Sequence, residues 1–206
     1  MIKNIIIDWS GVINDNTKNF YQVVLTIFRN HGIDPISFEE FRQHWQQPYM
    51  LFYNKYIPDL THELEQKEYR SAIEKQPLPN AYPGISEILK VAKQQGKVII
   101  ILSSDFNEHI KKEILRYDLN DVFTDIYSNV HDKSLVIKQI TEKYNFKLNE
   151  TIFIGDTRHE VESGKSAAVQ TAAVTWGIDP ESKLKTARPD YIIHNIEELK
   201  SLINDN

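Results

Sequence analysis

Five residues of the 206-residue chain carry side chains that could act together. Asp8 follows the apolar run "NIII", Ser103 and Ser104 follow "VIIIL", Asp156 follows "TIFIG", and Lys133 stands in "HDKS" just ahead of a helical pattern. Two carboxylates can hold a hard divalent cation such as Mg²⁺ through oxygen. Hydroxyls and neighbouring backbone N–H groups can grip phosphate oxygens, and an ammonium group offsets the negative charge that accumulates there. Gathered in one place, these groups suit a metal ion beside a phosphate. Each also has a plainer use. Asp8 could form a turn, Ser103 or Ser104 could start the next helix, Asp156 could cap the helix that carries Val161, and Lys133 could be a solvated surface charge. Their shared placement at strand ends or loops of one sheet edge favours the chemical reading.

That placement depends on the elements around them. "NIIID", "KVIIIL" and "TIFIG" are continuous apolar runs of the kind found in strands covered on both faces. A short strand near "DIYSNV" and the strands "TAAVTW" and "YIIH" complete the set. Between them lie helical stretches: the stripe Ile85, Ile88, Leu89 and Ala92 ended by Gly96, then "NEHIKKEILRY", "SLVIKQITEKY", "EVESGKSAA" and "IEELKSLI". Strands separated by helices of this length indicate right-handed crossovers and a doubly wound, parallel α/β sheet. Function in such sheets gathers outside the carboxyl ends of the strands.

Residues 17 to 76 differ, because they contain no strand pattern. "TKNFYQVVLTIFRNHG" puts Phe20, Val24, Ile27, Phe28 and His31 on one helical face, with Gly32 as a stop. "SFEEFRQHW" opens with Ser37 and Glu40 at capping-box spacing, and "THELEQKEYRSAIEK" reads as a third helix. The expected organisation is an α/β core formed by residues 1–14 and 81–206, interrupted after its first strand by a helical segment at 15–80.

Composition narrows the partners. A hydrophobic content of 41% is ordinary for a packed globule, and a net charge of -5 lacks the basic footprint of a nucleic-acid or anionic-membrane binder. The expected partner is a small molecule or a protein, with no nucleic acid and no membrane. The absence of cysteine excludes disulfide and thiolate chemistry. The short apolar run at the N-terminus falls far below a signal-peptide core or a membrane span, so the chain is expected to be soluble and cytoplasmic.

The segments "DWSGVIND", "IIILSS", "HDKS" and "IFIGDTRHEVESGKSAA" together resemble the four motifs of the haloacid-dehalogenase-like hydrolase superfamily, over nearly the whole chain. The tail "AAVTWGIDPESKLKTARPDYIIHNIEEL" is similar to its phosphoglycolate-phosphatase-like branch. The resemblance implies a Rossmann-like core with a small helical cap domain at 15–80. It also implies a Mg²⁺-dependent hydrolase of a small phosphorylated metabolite. In that scheme Asp8 is the nucleophile that takes up the phosphoryl group, and Ser103 binds phosphate with Ser104 and Gly11 beside it. Lys133 steadies nucleophile and phosphate. Asp8, the Ser10 backbone carbonyl and Asp156 ligate the metal, and Glu160 acts through metal-bound water.

One departure bears on mechanism. Family phosphatases carry Asp two residues after the nucleophile, where it protonates the leaving oxygen and later activates water; here that residue is Ser10. Three readings follow. The first is a phosphatase with weakened acid–base chemistry, with Glu39, Glu40, His44 and His62 as conceivable donors from the cap. The second is a C–P hydrolase resembling phosphonoacetaldehyde hydrolases, with Lys55 as the Schiff-base lysine. The third is a module that binds a phosphorylated ligand or a protein without turnover, its partner surface drawn from the aromatics of "HWQQPYMLFYNKY". The sequence leaves the substrate open, and the oligomeric state stays open between monomer and homodimer.

Overall fold

In the computed structural model, which describes residues 1–130 and 132–204, the apolar runs form one parallel sheet. Its strands are β1 (Asn4–Ile7), β2 (Val98–Leu102), β3 (Asp125–Tyr127), β4 (Thr151–Gly155), β5 (Gln170–Val174) and β6 (Tyr191–Ile193), in the order β3-β2-β1-β4-β5-β6. β1 therefore lies in the middle, with Ile7 level with Ile101 on one side and Ile154 on the other. The next residues along these strands leave the sheet at one edge, and Asp8, Ser103 and Asp156 are among them. The order also reverses at β1, between β2 and β4, where doubly wound sheets open a crevice for ligands.

Between β1 and β2 the chain forms four helices, α1 (Thr17–Asn30), α2 (Phe38–His44), α3 (Met50–Tyr56) and α4 (His62–Ile73). α1 presents Val23, Val24, Ile27 and Phe28 inward and ends at His31, followed by Gly32 at φ +67, the left-handed turn that glycine makes without penalty. Ser37 and Thr61 cap α2 and α4, their hydroxyls accepting from the Glu40 and Leu64 backbone N–H groups at 3.1 and 3.3 Å. α3 was not expected as a helix: it is as short as α2 but lacks the side-chain cap that marks where α2 begins. Its aromatics are also not a free surface. Trp45, Phe52 and Tyr53 are buried in the same cluster as Phe28 and Phe41, with the Phe52 ring 5.4 Å from Trp45 and 5.9 Å from Phe41. Ring pairs in these orientations add to the area they remove from water.

The remaining helices are α5 (Ile85–Gln94), α6 (Asn107–Arg116), α7 (Lys133–Lys143), α8 (Arg158–Ser166), α9 (Glu181–Thr186) and α10 (Ile196–Asn204). Alternation along the strands sends Ile5, Ile7, Ile99, Ile101, Ile152 and Ile154 to the face covered by α5, α6 and α10. Ile6, Ile100, Leu102 and Phe153 go to the opposite face, against Ile137 and Ile140 of α7. Both faces are buried, which is why the strands read as unbroken apolar runs. α9 is short and gives no periodic signal in sequence.

The four-helix segment leaves and rejoins the core through paired strands of chain. Asp15 N–H donates to the Asn80 carbonyl and Tyr82 N–H to the Ile13 carbonyl, at 2.8 and 2.9 Å. Beneath this crossing Trp9, fully buried, stacks on Tyr117 with centroids 5.8 Å apart and donates its indole N–H to Glu113. Glu113 also accepts from the Asn14 amide, whose oxygen accepts from the Tyr117 hydroxyl. A large side chain and a buried polar network thus meet directly behind Asp8. Trp9→Ala is expected to lower stability by about 3–5 kcal/mol, the usual loss for a buried large aromatic, as a reduced midpoint in urea unfolding followed by circular dichroism.

Candidate active site

Asp8, Lys133, Asp156 and Glu160 come together at the carboxyl edge of the sheet, with exposures of only 5, 6, 3 and 4%. Lys133 is the first residue of α7, behind the capping residue Asp132, and is not a surface lysine. Its Nζ lies 2.9 Å from Asp8 Oδ1, an ion pair without the alignment of a hydrogen bond, and donates to Glu160 Oε1 at 2.5 Å. Of the "HDKS" stretch, His131 lies outside the described residues.

Glu160 has a structural duty as well. With Thr157 it forms a capping box at the start of α8, its Oε2 accepting from Thr157 N–H at 3.1 Å and from Asp156 N–H at 2.7 Å. Thr157, not Asp156, is therefore the cap of this helix. That frees the Asp156 carboxylate for the site. Its Oδ2 accepts from Ile178 N–H at 2.6 Å, in the loop after β5. Gly11 and Gly177 close on the same carboxylate so tightly that a Cβ at either would overlap it, and Gly11 also holds φ +75. Gly11 thus fixes Asp156 in place, a role its position in the first turn does not advertise.

The charges are out of balance. One ammonium faces three carboxylates, and oxygens of Asp8, Asp156 and Glu160 lie within 4.8 Å of one another. Burial pushes the Asp8 and Asp156 carboxyls well above the usual carboxylate range, and the neighbouring Glu160 charge adds to this. Burial acts on Glu160 in the same direction, but Lys133 and the donors around it hold it down to about 2. A buried oxygen cluster with surplus negative charge suits a hard divalent cation such as Mg²⁺.

Ser10 and the serines after β2 meet at a residue the sequence reading passed over. Ser10 Oγ donates to the Asp105 carboxylate and accepts from the Asn16 amide at 2.7 Å. Ser103 is fully buried; its Oγ donates to the same Asp105 oxygen at 3.3 Å and accepts from Asp105 N–H. Ser104 is exposed and lines the cavity over Asp8. Neither serine starts α6, whose cap is Phe106. The one signal available for Asp105 was its place in "SSD" at the end of a buried strand.

Two cavities sit above these groups and share a wall. The smaller, about 140 Å³, is lined by Asp8, Ser10, Gly11, Ser104, Lys133, Asp156 and Glu160 among others. The larger, about 450 Å³, lies between the four-helix segment and the core, and Ser104, Asp105, Phe20, Trp45 and Tyr69 border both. Glu39, Glu40, His44 and His62 border neither; His44 Nδ1 is 2.6 Å from the Tyr56 hydroxyl. Lys55 is exposed, its ammonium 5.2 Å from the Tyr56 ring centroid, and is likewise outside both cavities.

No helix among the described residues is long and apolar enough to cross a membrane. Residues 5–174 match the haloacid dehalogenase-like hydrolase family model. The chain is 22% identical over 199 residues to a phosphoglycolate phosphatase of Synechococcus elongatus, covering 95% of this chain and 94% of that protein. It is 27% identical over 131 residues to the pyrophosphatase PpaX of Halalkalibacterium halodurans, covering 61% of each. A solved structure of a haloacid dehalogenase-like family hydrolase from Streptococcus pneumoniae shares the fold with a TM-score of 0.80 and 20% identity, over 100% of this chain and 99% of that one. With the family model spanning both the strand-end carboxylates and the helices inserted after β1, the chain belongs to the haloacid dehalogenase-like hydrolase family.

Proposed function

We propose that this protein is a Mg²⁺-dependent phosphatase that cleaves a small phosphate monoester through an aspartyl-phosphate on Asp8. The observation that carries the reading is the buried set Asp8, Asp156, Glu160 and Lys133, three carboxylates and one ammonium beneath a cavity at the sheet's switch point. Asp8, the Ser10 backbone carbonyl and Asp156 would hold the metal, with Glu160 acting through bound water. The ion supplies a positive charge that offsets repulsion between the carboxylates and the incoming phosphate.

In the first step an Asp8 oxygen bonds to phosphorus and the bond from phosphorus to the alcohol oxygen breaks, the alcohol leaving with a proton. In the second, water attacks phosphorus, the bond to Asp8 breaks, and phosphate departs. Lys133 offsets part of the charge on Asp8 and faces the transferring group. Ser104 and backbone N–H groups at the edge bind its oxygens, while Ser103, buried and bonded to Asp105, supports the turn that carries them. Residues 15–80 act as the cap that excludes water and contacts the alcohol. The cap rests on the loop after β5, where Arg42 donates to the Ile178 carbonyl at 2.9 Å and Lys183 to that of Trp45.

Proton transfer is the weak step. Serine cannot exchange a proton readily near neutral pH, and Asp105, hydrogen-bonded to the Ser10 hydroxyl, keeps a carboxylate beside the position where the family carries one. The phosphonate reading has less support, because Lys133 is the one lysine on either cavity wall and is committed to two carboxylates.

The reading is tested by phosphate release from p-nitrophenyl phosphate with and without Mg²⁺. Release is expected only with the metal, together with a phosphoryl mass increase on the quenched protein that disappears in Asp8→Asn. Release that persists in Asp8→Asn would discard the covalent route. Asp156→Asn is expected to weaken Mg²⁺ binding by more than about tenfold in calorimetry, the scale on which even outer-shell changes act. Asp105→Asn is expected to lower kcat on an alkyl phosphate by about 10²-fold, the lower end of what acid–base assistance contributes. The loss should be smaller on the aryl ester, whose leaving group needs little protonation; equal losses on both would assign Asp105 a purely structural part.

A further inference from the structure

The larger cavity has an unusual wall. Phe20, Trp45, Tyr49 and Tyr69 bring aromatic rings to it from the four-helix segment, and Phe106 adds one from the core. Four carboxylates share that wall, those of Glu65, Glu74, Asp105 and Glu108. Against them stands one permanently charged cation, Arg70, which is exposed and lies with its guanidinium 5.2 Å from the Phe106 ring centroid.

Glu65 stands apart from the other acids. It projects from α4 with only 3% exposure, with the Tyr49 hydroxyl beside its carboxyl. Among the described residues it has no ion-pair partner at salt-bridge distance. Burial pushes its carboxyl up to about 7. A carboxyl in that condition is restored to its charged form by a cation placed beside it. Aromatic faces attract the same kind of guest, since an ammonium group is drawn to the negative face of a ring.

We propose that this cavity receives the alcohol portion of the substrate and that this alcohol carries an ammonium group. The substrate class is then the phosphate monoester of an amino alcohol, with Glu65 as the residue that selects it. The proposal rests on the phosphatase reading and deepens it. Because Ser104 and Asp105 border both cavities, a phosphoryl group over Asp8 and a short aminoalkyl chain in the larger space are contiguous. The chemistry stays balanced: the bond from phosphorus to the alcohol oxygen breaks, the alcohol takes up a proton, and the ammonium is unchanged throughout. The same wall works against anionic alcohols. A second carboxylate or phosphate on the substrate would enter a space bordered by four acids against Arg70 and His109, so repulsion selects against it as attraction selects for the amine.

Initial rates with Mg²⁺ test this on O-phosphoethanolamine, on the uncharged comparator ethylene glycol monophosphate, on 2-phosphoglycolate and on pyrophosphate, with p-nitrophenyl phosphate as the general substrate. The wild type is expected to favour O-phosphoethanolamine over ethylene glycol monophosphate and over 2-phosphoglycolate by about tenfold or more in kcat/KM, the scale of one well-placed polar contact in a specificity pocket. Glu65→Gln should erase most of the preference over the uncharged comparator, mainly through KM. As a check that does not depend on a buried position, the exposed pair Glu74→Gln and Glu108→Gln together should narrow the gap to 2-phosphoglycolate. Equal or better use of 2-phosphoglycolate or pyrophosphate would overturn the amino-alcohol assignment while leaving the phosphatase reading intact. So would a Glu65→Gln variant that loses activity equally on charged and uncharged alcohols while the exposed pair leaves the gap unchanged. Failure to release phosphate from every ester, p-nitrophenyl phosphate included, would remove both readings together.

Discussion

Among the described residues, Lys133 is the one cation paired with this group of three carboxylates that have lost nearly all contact with water. Desolvation of that kind costs several kcal/mol per ion, and a single ammonium cannot compensate all three. The surrounding structure is arranged to hold the imbalance. Asp156 is enclosed between two glycine backbones and tied to Ile178 N–H, and Glu160 is locked by the capping box that starts α8. Asp8 is followed by Trp9, which is buried against Tyr117 and bonded to Glu113. Held in this way, the three carboxylates suit the divalent cation proposed above.

The helices inserted after β1 are held to the core by the same short region. Asn14 joins the network under Trp9, its neighbours pair with residues 80 and 82, and three residues earlier the chain has made the turn that presses Gly11 against Asp156. The positions that fix the carboxylates therefore also set the direction in which the insert leaves. This couples the large cavity to the small one. Phe20 and Tyr69 belong to the insert and border both, and Asp105 borders both from the core side.

Legibility in sequence followed physical range. The strands were readable because burial on both faces leaves unbroken apolar runs, and the strand-end residues Asp8, Ser103 and Asp156 came with them by topology alone. The helices with long amphipathic stripes, such as α1 and α5, were equally plain. α3 and α9 were not, since they are short and carry no side-chain cap, and the aromatics around Pro48 were open between packing and a partner surface. Lys133 lies at a helix start, where most lysines meet solvent; only its contact with β1 and α8, far away in sequence, reveals its burial. Glu160 was placed by family resemblance, and its double duty as cap and ion-pair partner needed coordinates. Asp105 escaped because its meaning lies in a contact with a residue 95 positions away.

That contact changes how the departure at Ser10 should be weighed. Judged along the chain, position 10 has lost a carboxylate, and a serine there cannot replace it. Judged in space, a carboxylate is still present, carried by the end of β2 instead of the turn after β1 and held to the serine hydroxyl by a hydrogen bond. The relation between residue and function at this edge is set by which groups converge, because five strand ends open onto the same crevice and any of them can bring a group to it. The larger cavity extends the same argument from chemistry to selection. Asp105 borders the larger cavity as well as the one over Asp8, and on the proposed reading that larger space, with Glu65 on its wall, gives the alcohol an acidic setting. Relocating the acid would then alter at once how protons reach the leaving group and which leaving groups are welcome.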